Sequence, residues 1–231
     1  MKIDLHTHCK PVSICAHHRY DEIPQMIKDA GLDAFVLTNH YFAKHCDKLS
    51  DDLHEQACIY VDVFRKCKEI GEKIGIKVFF GAEARLMDVN PHKPEFLLYG
   101  ISEEEFIDSF PIYGFNQKEL FDYCNEKNIL MIQAHPYRYE QNYAPADMRY
   151  VHGVEVYNGN SGFENRFEDS LKLAIDNNLI KTGGSDFHNK IHAGAGMIVP
   201  DYIEDQFMLR DYLKTRECVI FDKSGIIYEE K

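Results

Sequence analysis

The stretch Ile3-Asp4-Leu5-His6-Thr7-His8 places two histidines at the end of a short apolar run. Successive side chains of a β-strand point to opposite faces, so residues two positions apart project from the same face. His6 and His8 can therefore reach one cation together without distortion of the backbone. A His-x-His pair is weak evidence by itself, but its position after an apolar run predicts a buried strand that ends in metal ligands.

The same arrangement recurs along the chain, where short apolar runs end in residues that bind metals. These residues are His40, Glu83, His135, Asp186 and His188. Asp186 and His188 again stand two positions apart, after a Gly-Gly pair that permits a tight turn. Imidazole and carboxylate together suit Zn, Mn or Fe better than Ca or Mg. If the runs form one barrel, all these groups converge at the rim where barrel enzymes carry their active sites.

Short β-like runs alternate with longer helical ones. Strands are predicted at Lys2–His6, Ala34–Thr38, Lys77–Gly81, Phe96–Tyr99, Leu130–Ala134, Gly153–Tyr157 and Ile180–Gly183, and helices at Tyr20–Ala30, Asp51–Ile74, Gln117–Lys127 and Gly162–Asn177. Residues 144–150 and 189–205 are predicted to be loops. This alternation predicts a mostly parallel sheet, closed or nearly closed into a barrel, with an open doubly wound sheet as the alternative.

Length and composition limit the possible functions. A chain of 231 residues fits a single domain, here residues 1–231, with a peripheral helix and strands from about residue 204. The net charge of -12 disfavours long nucleic acid as a partner, although bound cations can still attract a small anion. Apolar runs are too short for membrane spans, and the first residues do not form a signal peptide, so we expect a cytoplasmic protein. Seven cysteines indicate reduced thiols rather than a disulfide framework. The oligomeric state stays open.

The motifs resemble one family in order, context and spacing. The succession Asp-Leu-His-Thr-His, Thr-Asn-His, Gly-Ala-Glu, Ala-His-Pro and Gly-Ser-Asp-Phe-His, from about Ile3 to His188, resembles the PHP (polymerase and histidinol phosphatase) family, and its short stand-alone members most closely. The resemblance implies a distorted (β/α)7, TIM-like barrel. It also implies two or three divalent metals at the C-terminal rim of the strands and hydrolysis of phosphoesters.

The resemblance also implies a ligand for each metal. His6, His8, Glu83 and Asp186 would hold the first, Glu83 and His135 the second, and His40 and His188 a third. The chain departs from the family where Ser-Asp-Gly or a third early histidine is common, since it has residues 13–18 there instead. His17 is a candidate for the missing ligand, Cys15 is an alternative, and it is equally open that neither binds. His92 is expected to be a surface loop residue.

Other residues are candidates for catalysis or substrate binding. A metal-bound water held by Glu83 and Asp186 is the expected nucleophile, and His188 or His192 the expected acid. Arg138 could clamp a phosphate or form a surface salt bridge. Asn158 could orient substrate or water, or cap a loop.

The expected activity is metal-dependent hydrolysis of a small phosphomonoester or a short phosphodiester, with Zn, Mn or Fe as the cofactor. An amidohydrolase-like enzyme that cleaves C–N or C–O bonds is the rival, because it shares the first-strand His-x-His. Such enzymes often use a carbamylated lysine as the bridging ligand, whereas the candidate here is Glu83. A module whose metal site has decayed is a third possibility, disfavoured by the number of motifs present.

Overall fold

The computed structural model describes residues 1–87, 94–138 and 145–230. Its strands are β1 (Lys2–Thr7), β2 (Ala34–Leu37), β3 (His40–Tyr41), β4 (Lys77–Arg85), β5 (Glu95–Tyr99), β6 (Leu130–Gln133), β7 (Gly153–Asn158), β8 (Ile180–Gly184), β9 (Gly196–Ile198), β10 (Cys218–Asp222) and β11 (Gly225–Glu230). Its helices are α1 (Ile23–Asp29), α2 (Ala43–Cys46), α3 (Leu53–Ile74), α4 (Glu103–Ser109), α5 (Gln117–Glu126), α6 (Phe167–Asp176) and α7 (Gln206–Lys214).

The strands form one curled sheet in the order β11-β10-β9-β1-β2-β4-β5-β6-β7-β8, with β3 beside β4. The curl brings the end of β8 back to β1, where the Phe187 amide donates to the His6 carbonyl at 3.1 Å and the His8 amide donates to the Phe187 carbonyl at 3.0 Å. The predicted mixed α/β architecture is confirmed. A regular (β/α)7 barrel is not, because β5 runs antiparallel to β4 and β6, and β9, β10 and β11 pair antiparallel as well.

All seven predicted strands and all four predicted helices are present. Helix α3 begins at the predicted place because the Asp52 side chain accepts from the Glu55 amide, and it ends at Gly75, whose left-handed backbone (φ 75°) suits glycine. Strand β4 continues four residues beyond its predicted end, since β3 and β5 pair with the extension. Glu83 consequently lies inside a strand rather than at its end.

The predicted loop at residues 189–205 contains β9, which the sequence did not reveal. Met197 of β9 pairs with Ile3 of β1 on one side and with Ile220 of β10 on the other. The C-terminal elements α7, β10 and β11 occur where a peripheral segment was predicted, and β9 connects them to the main sheet.

Buried apolar side chains form a continuous hydrophobic cluster that runs from the strands into the helix layer. Tyr60 of α3 and Phe106 of α4 stack at 4.5 Å over the sheet, and Phe80 of β4 meets Phe106 edge-on. Burying each such ring contributes about 1.5–3 kcal/mol, so this layer holds β4 firmly at the centre of the sheet. All seven cysteines are free thiols.

Within the described ranges, none of the helices has the length and apolar character needed to cross a membrane.

Candidate metal centre

The two ends of the curled sheet bring the first and last motifs together. Residues after β8 can approach β1 because Gly184 has no side chain: a Cβ there would lie 2.6 Å from the Cβ of His6. Asp186, two residues later, has a φ of +50°, and His135 after β6 has a φ of +26°. Non-glycine residues adopt such left-handed backbones at a cost, and they concentrate at functional sites. The backbone strain here falls on two predicted metal ligands.

Glu83 lies at the centre of the cluster. Its Oε1 is 3.2 Å from His6 Nε2 and 3.1 Å from His135 Nε2. Its Oε2 is 2.6 Å from His40 Nδ1 and 3.5 Å from His8 Nε2. The parallel pairing of β3 with β4 puts His40 directly beside Glu83. One carboxylate therefore contacts four imidazoles, which is the arrangement expected of a bridging ligand.

Asp186 closes the other side of the same space. Its Oδ1 lies 3.4 Å from His6 Nε2, 3.2 Å from His8 Nε2 and 3.2 Å from His188 Nδ1. The structure thus brings together seven of the eight predicted ligands: His6, His8, His40, Glu83, His135, Asp186 and His188.

The donor atoms fit divalent cations. His6 Nε2, His8 Nε2, His40 Nδ1, Glu83 Oε2 and Asp186 Oδ1 are buried, and apart from their ionic contacts with one another they form no well-oriented hydrogen bond among the described residues. Two ligands about 2.1 Å from one cation are roughly 3.0–3.4 Å apart, close to the separations found here. Three overlapping groups of possible ligands result: His6, His8 and Asp186; His6, Glu83 and His135; and His8, His40 and His188.

His17 does not join these groups. Its side chain is exposed, and only its backbone reaches the site, where its amide donates to the His188 carbonyl at 2.8 Å. The chain turns at residues 13–16, which aims Cys15 rather than His17 into the cluster. Cys15 and His45 form a further possible ligand group with His40. His45 matched no motif in the sequence, and His92 lies outside the described residues.

Two buried carboxylates that the sequence did not single out orient the ligands. Glu155 of β7 contacts His6 Nδ1 through Oε1 at 2.9 Å and accepts from the His135 amide through Oε2 at 3.0 Å. Asp4 accepts from the amides of His6 at 3.1 Å and Ser185 at 2.8 Å, which fixes β1 against the turn after β8. A charged residue inside a buried strand needs such partners, so Asp4 and Glu155 could have been identified from their positions within apolar strands.

A third buried carboxylate, Glu95 of β5, also lies at the site. It is 3.5 Å from His135 Nε2 and forms a 2.5 Å ion pair with Arg85. With His40 and Glu83 it makes another possible ligand group.

Opposed charges in the cluster shift its titration. Burial disfavours the charged form of His6, but Glu155 and Glu83 outweigh it and raise the pKa of His6 to about 10. Burial likewise opposes the charge on His40, but the nearby Glu83 carboxylate outweighs it and raises the pKa of His40 to about 9. Burial would raise the pKa of Glu83, but the charges of His6 and His40 hold it well below the usual range. Burial and the charge of His40 keep the pKa of His8 well below normal. Glu83 therefore stays ionised and attracts positive charge.

Arg138 is buried beside the cluster instead of forming a surface salt bridge. Its guanidinium pairs with Asp186, donates to Asn158 Oδ1 at 3.2 Å and lies 4.8 Å above the Phe163 ring. Asn158 in turn donates to Glu155 Oε2 at 2.9 Å. Asn158 thus holds Arg138 and Glu155 in place, and its Oδ1 also caps the following loop by accepting from the Asn160 amide at 3.2 Å.

An open cleft of about 440 Å³ leads to the cluster, lined by residues that include Cys15, His40, Phe42, Arg85, Arg138 and His188. His192 also lines it, and its Nδ1 accepts from the His188 amide at 3.2 Å. Burial and the charge of His188 lower the pKa of His192 to about 4. His192 is therefore neutral at pH 7 and suited to holding the His188 turn.

No family model and no curated protein matches this chain. Among solved structures, a two-domain protein from Bacteroides vulgatus that contains a predicted PHP-like metal-dependent phosphoesterase has a TM-score of 0.69 at 22% identity, over 98% of this chain and 66% of that one. The lesion-specific endonuclease EndoQ from Pyrococcus furiosus has a TM-score of 0.57 at 17% identity, over 93% and 56%. An amidohydrolase from Chromobacterium violaceum has 0.54 at 14% identity, over 96% and 98%. The resemblance inferred from the motifs is thus confirmed in three dimensions: this chain has the fold of PHP-like metal-dependent phosphoesterases.

Proposed function

We propose that the protein is a metal-dependent phosphoesterase that hydrolyses a small phosphomonoester or a short phosphodiester. The observation that carries the proposal is the convergence of five imidazoles, Glu83 and Asp186 on one buried space, with the Arg138 guanidinium beside it. Relatives in fold that are named as a phosphoesterase and an endonuclease support the same reaction class.

Each cation would be held by its own set of side chains. His6, His8, Glu83 and Asp186 would hold a first cation, Glu83 and His135 a second, and His40 and His188 a third. Divalent Zn, Mn or Fe in such a site lowers the pKa of water and neutralises charge on a phosphoryl group. Glu83 and Asp186, whose Oε2 and Oδ1 are buried in the same space, would also hold the attacking metal-bound water.

Arg138 lies where the charge of a phosphoryl group must be compensated. Its planar fork matches phosphate oxygens bidentately, and its contacts with Asn158 and Phe163 fix its orientation before substrate binds. Of the two candidate acids, His192 is the poorer candidate, because a ring with a pKa of about 4 carries no extra proton to donate at pH 7. His188 would serve as the acid only in a site that holds two cations, because a ring that ligates the third cation has no proton to give.

The cleft favours a small anionic substrate. Arg85, Arg138 and Lys44 line it, while the chain as a whole carries a net charge of -12. Local positive charge in a negative protein attracts a compact phosphate but gives a long phosphate backbone few contacts. A volume of about 440 Å³ is in the range of small-molecule pockets.

An amidohydrolase is the second candidate, because one structure with the same fold carries that name. The bridging position held by Glu83 and the buried arginine beside Asp186 favour the phosphoesterase.

The test is metal analysis of the purified chain, followed by assays with phosphomonoesters, phosphodiesters, amides and lactones in the presence of Mn, Zn or Fe. His6→Ala and Asp186→Ala should lose metal and activity, whereas His54→Ala, at an exposed position on α3, should keep both. Cleavage of amides or lactones without cleavage of any phosphoester would replace the proposal with the amidohydrolase. Full metal binding by both site variants would refute the site.

A further inference from the structure

The wall of the cluster that faces the cleft contains a group of possible ligands different from the rest. Cys15, His40 and His45 offer one sulfur and two nitrogens that all lie within 4.8 Å of one another. The thiol of Cys15 also lies close enough to the rings of His40 and His188 to interact with both. Cys15 is exposed and lines the cleft, so its sulfur is open to an incoming ion.

Hydrogen bonds on both sides of Cys15 hold it in this position. On one side, the Ser13 hydroxyl accepts from the His40 amide at 2.9 Å and donates to Asn39 Oδ1 at 2.9 Å. On the other side, the His17 amide donates to the His188 carbonyl at 2.8 Å. The turn from Ser13 to His17 thus spans the gap between His40 and His188, and it presents the thiol between them.

His45 supplies an independent observation. Its side chain is 95% buried, being only 5% exposed, and its Nδ1 has no hydrogen-bond partner in the part of the chain that the structure describes. The ring lies near the backbone of Val12 and packs edge-on to His40 at 4.7 Å. A buried imidazole with an unpaired nitrogen beside other possible ligands is suited to binding a metal.

We propose that Cys15 and His45 join His40 at the third of the cation positions named above, and make it a thiolate-containing site at the mouth of the cleft that binds Zn²⁺ or a similar borderline-soft ion. On a tetrahedral cation, sulfur and nitrogen ligands lie about 3.6 Å apart, within a small side-chain adjustment of the observed cluster. Binding transfers the thiol proton to solvent and a sulfur electron pair to the cation. Because thiolate is a poor ligand for Mg²⁺ and Mn²⁺, this site should select Zn²⁺ or Co²⁺, while the carboxylate-rich cluster behind it accepts Mn²⁺ as well. The proposal deepens the proposed function, since it concerns a wall of the same cleft.

Titration of the full-length, metal-free protein with Co²⁺ tests this site by absorption spectroscopy. The wild-type protein should develop a thiolate-to-cobalt charge-transfer band in the near ultraviolet. Cys15→Ser should lose this band and bind one Co²⁺ fewer, while His45→Gln should require a several-fold higher Co²⁺ concentration to reach it. Cys58→Ser, which changes a partly buried thiol on α3, is the matched control and should keep the full band. A band that persists in Cys15→Ser, or a wild-type protein that binds Co²⁺ without any band, would overturn the proposal.

A second measurement needs no variant. In the wild-type protein, Zn²⁺ should slow alkylation of Cys15 at least tenfold and leave the alkylation of Cys58 unchanged, as read by mass spectrometry of the two peptides. Equal rates at Cys15 with and without Zn²⁺ would overturn the proposal. Neither readout depends on turnover, so a charge-transfer band in a protein that hydrolyses no phosphoester refutes the proposed function and keeps this site. Hydrolysis of a phosphoester by a protein that shows no band would refute this site and keep the proposed function.

Discussion

Replacing Glu155 by Gln is expected to weaken metal binding although Glu155 is itself no ligand. The carboxylate is buried and serves two sides: Oε1 contacts His6 Nδ1 at 2.9 Å, and Oε2 accepts from the His135 amide at 3.0 Å and from Asn158 Nδ2 at 2.9 Å. An amide has only one oxygen to offer. If that oxygen faces His135, the NH₂ group faces His6 and forces the Nδ1 lone pair toward it, which puts the ring proton on Nε2.

His6 Nε2 is the atom that faces Glu83 and Asp186, so a proton there blocks ligation. In the opposite orientation the NH₂ group meets the His135 amide, donor against donor. Either way one buried, charge-assisted hydrogen bond is lost, and removing such a carboxylate partner typically lowers metal affinity about 10–100-fold, or roughly 1.4–2.7 kcal/mol.

Competition against a chromophoric chelator at pH 7 measures this loss. Glu217→Gln, an exposed glutamate between α7 and β10, removes the same charge away from the site and should bind metal like the wild type. Urea unfolding of both variants in chelator separates lost affinity from lost folding. An affinity of Glu155→Gln within twofold of the wild type would refute the role of Glu155 in fixing the His6 tautomer.

Three further results are expected. Arg138→Lys should lower kcat/KM for the best phosphoester about 10–100-fold, because lysine cannot reproduce a bidentate contact, and an unchanged kcat/KM would contradict the phosphate role. In chelator, the free energy of unfolding should fall as pH rises from about 6.5 to about 10. Burial opposes the charge on His6, but Glu155 and Glu83 raise its pKa to about 10 in the folded protein. Protonated His6 therefore stabilises the fold fully below pH 6.5, and this contribution is lost above pH 10. With Zn²⁺ bound, the free energy of unfolding should instead rise with pH, because ligation needs neutral histidine. The same pH dependence with and without Zn²⁺, measured by urea unfolding, would contradict this. Gly196→Ala should destabilise the fold by more than about 2 kcal/mol, since a Cβ there would lie 2.0 Å from the Ile3 carbonyl oxygen, whereas Gly114→Ala meets nothing within 4 Å; equal urea midpoints would contradict the placement of β9.

The ligands that the sequence revealed share one physical property. His6 lies near the end of a buried parallel strand, and His135 and Asp186 follow two others; the carboxyl ends of parallel strands meet at one edge. An apolar run followed by a polar residue therefore encodes a place at the rim. The local sequence pattern of each strand was therefore enough to find these residues, and the structure brings them together.

Glu95 escaped the same reading because β5 runs the other way. In an antiparallel strand the amino end lies at the rim, so the polar residue precedes the apolar run, as in Glu95-Phe96-Leu97-Leu98-Tyr99. Strand direction depends on pairing with β4 and β6, which no local pattern records. His45 was hidden for a related reason: it lies on the four-residue helix α2, too short for helical periodicity, and only the packing of α2 beside β3 aims it at His40.

The same fold carries a phosphoesterase, an endonuclease and an amidohydrolase by name, so the shared ligands alone do not select a reaction. Selection must come from residues around the metals that differ between reactions. In this chain Arg138 pairs with Asp186, Arg85 pairs with Glu95, and each guanidinium lies over a phenylalanine ring of the cleft. Two arginines fixed beside candidate metal ligands offer N–H donors for substrate oxygens, and a phosphoryl group with its several charged oxygens uses such donors more fully than a neutral amide does. The surroundings of the metals, more than the ligands themselves, thus favour phosphoester hydrolysis.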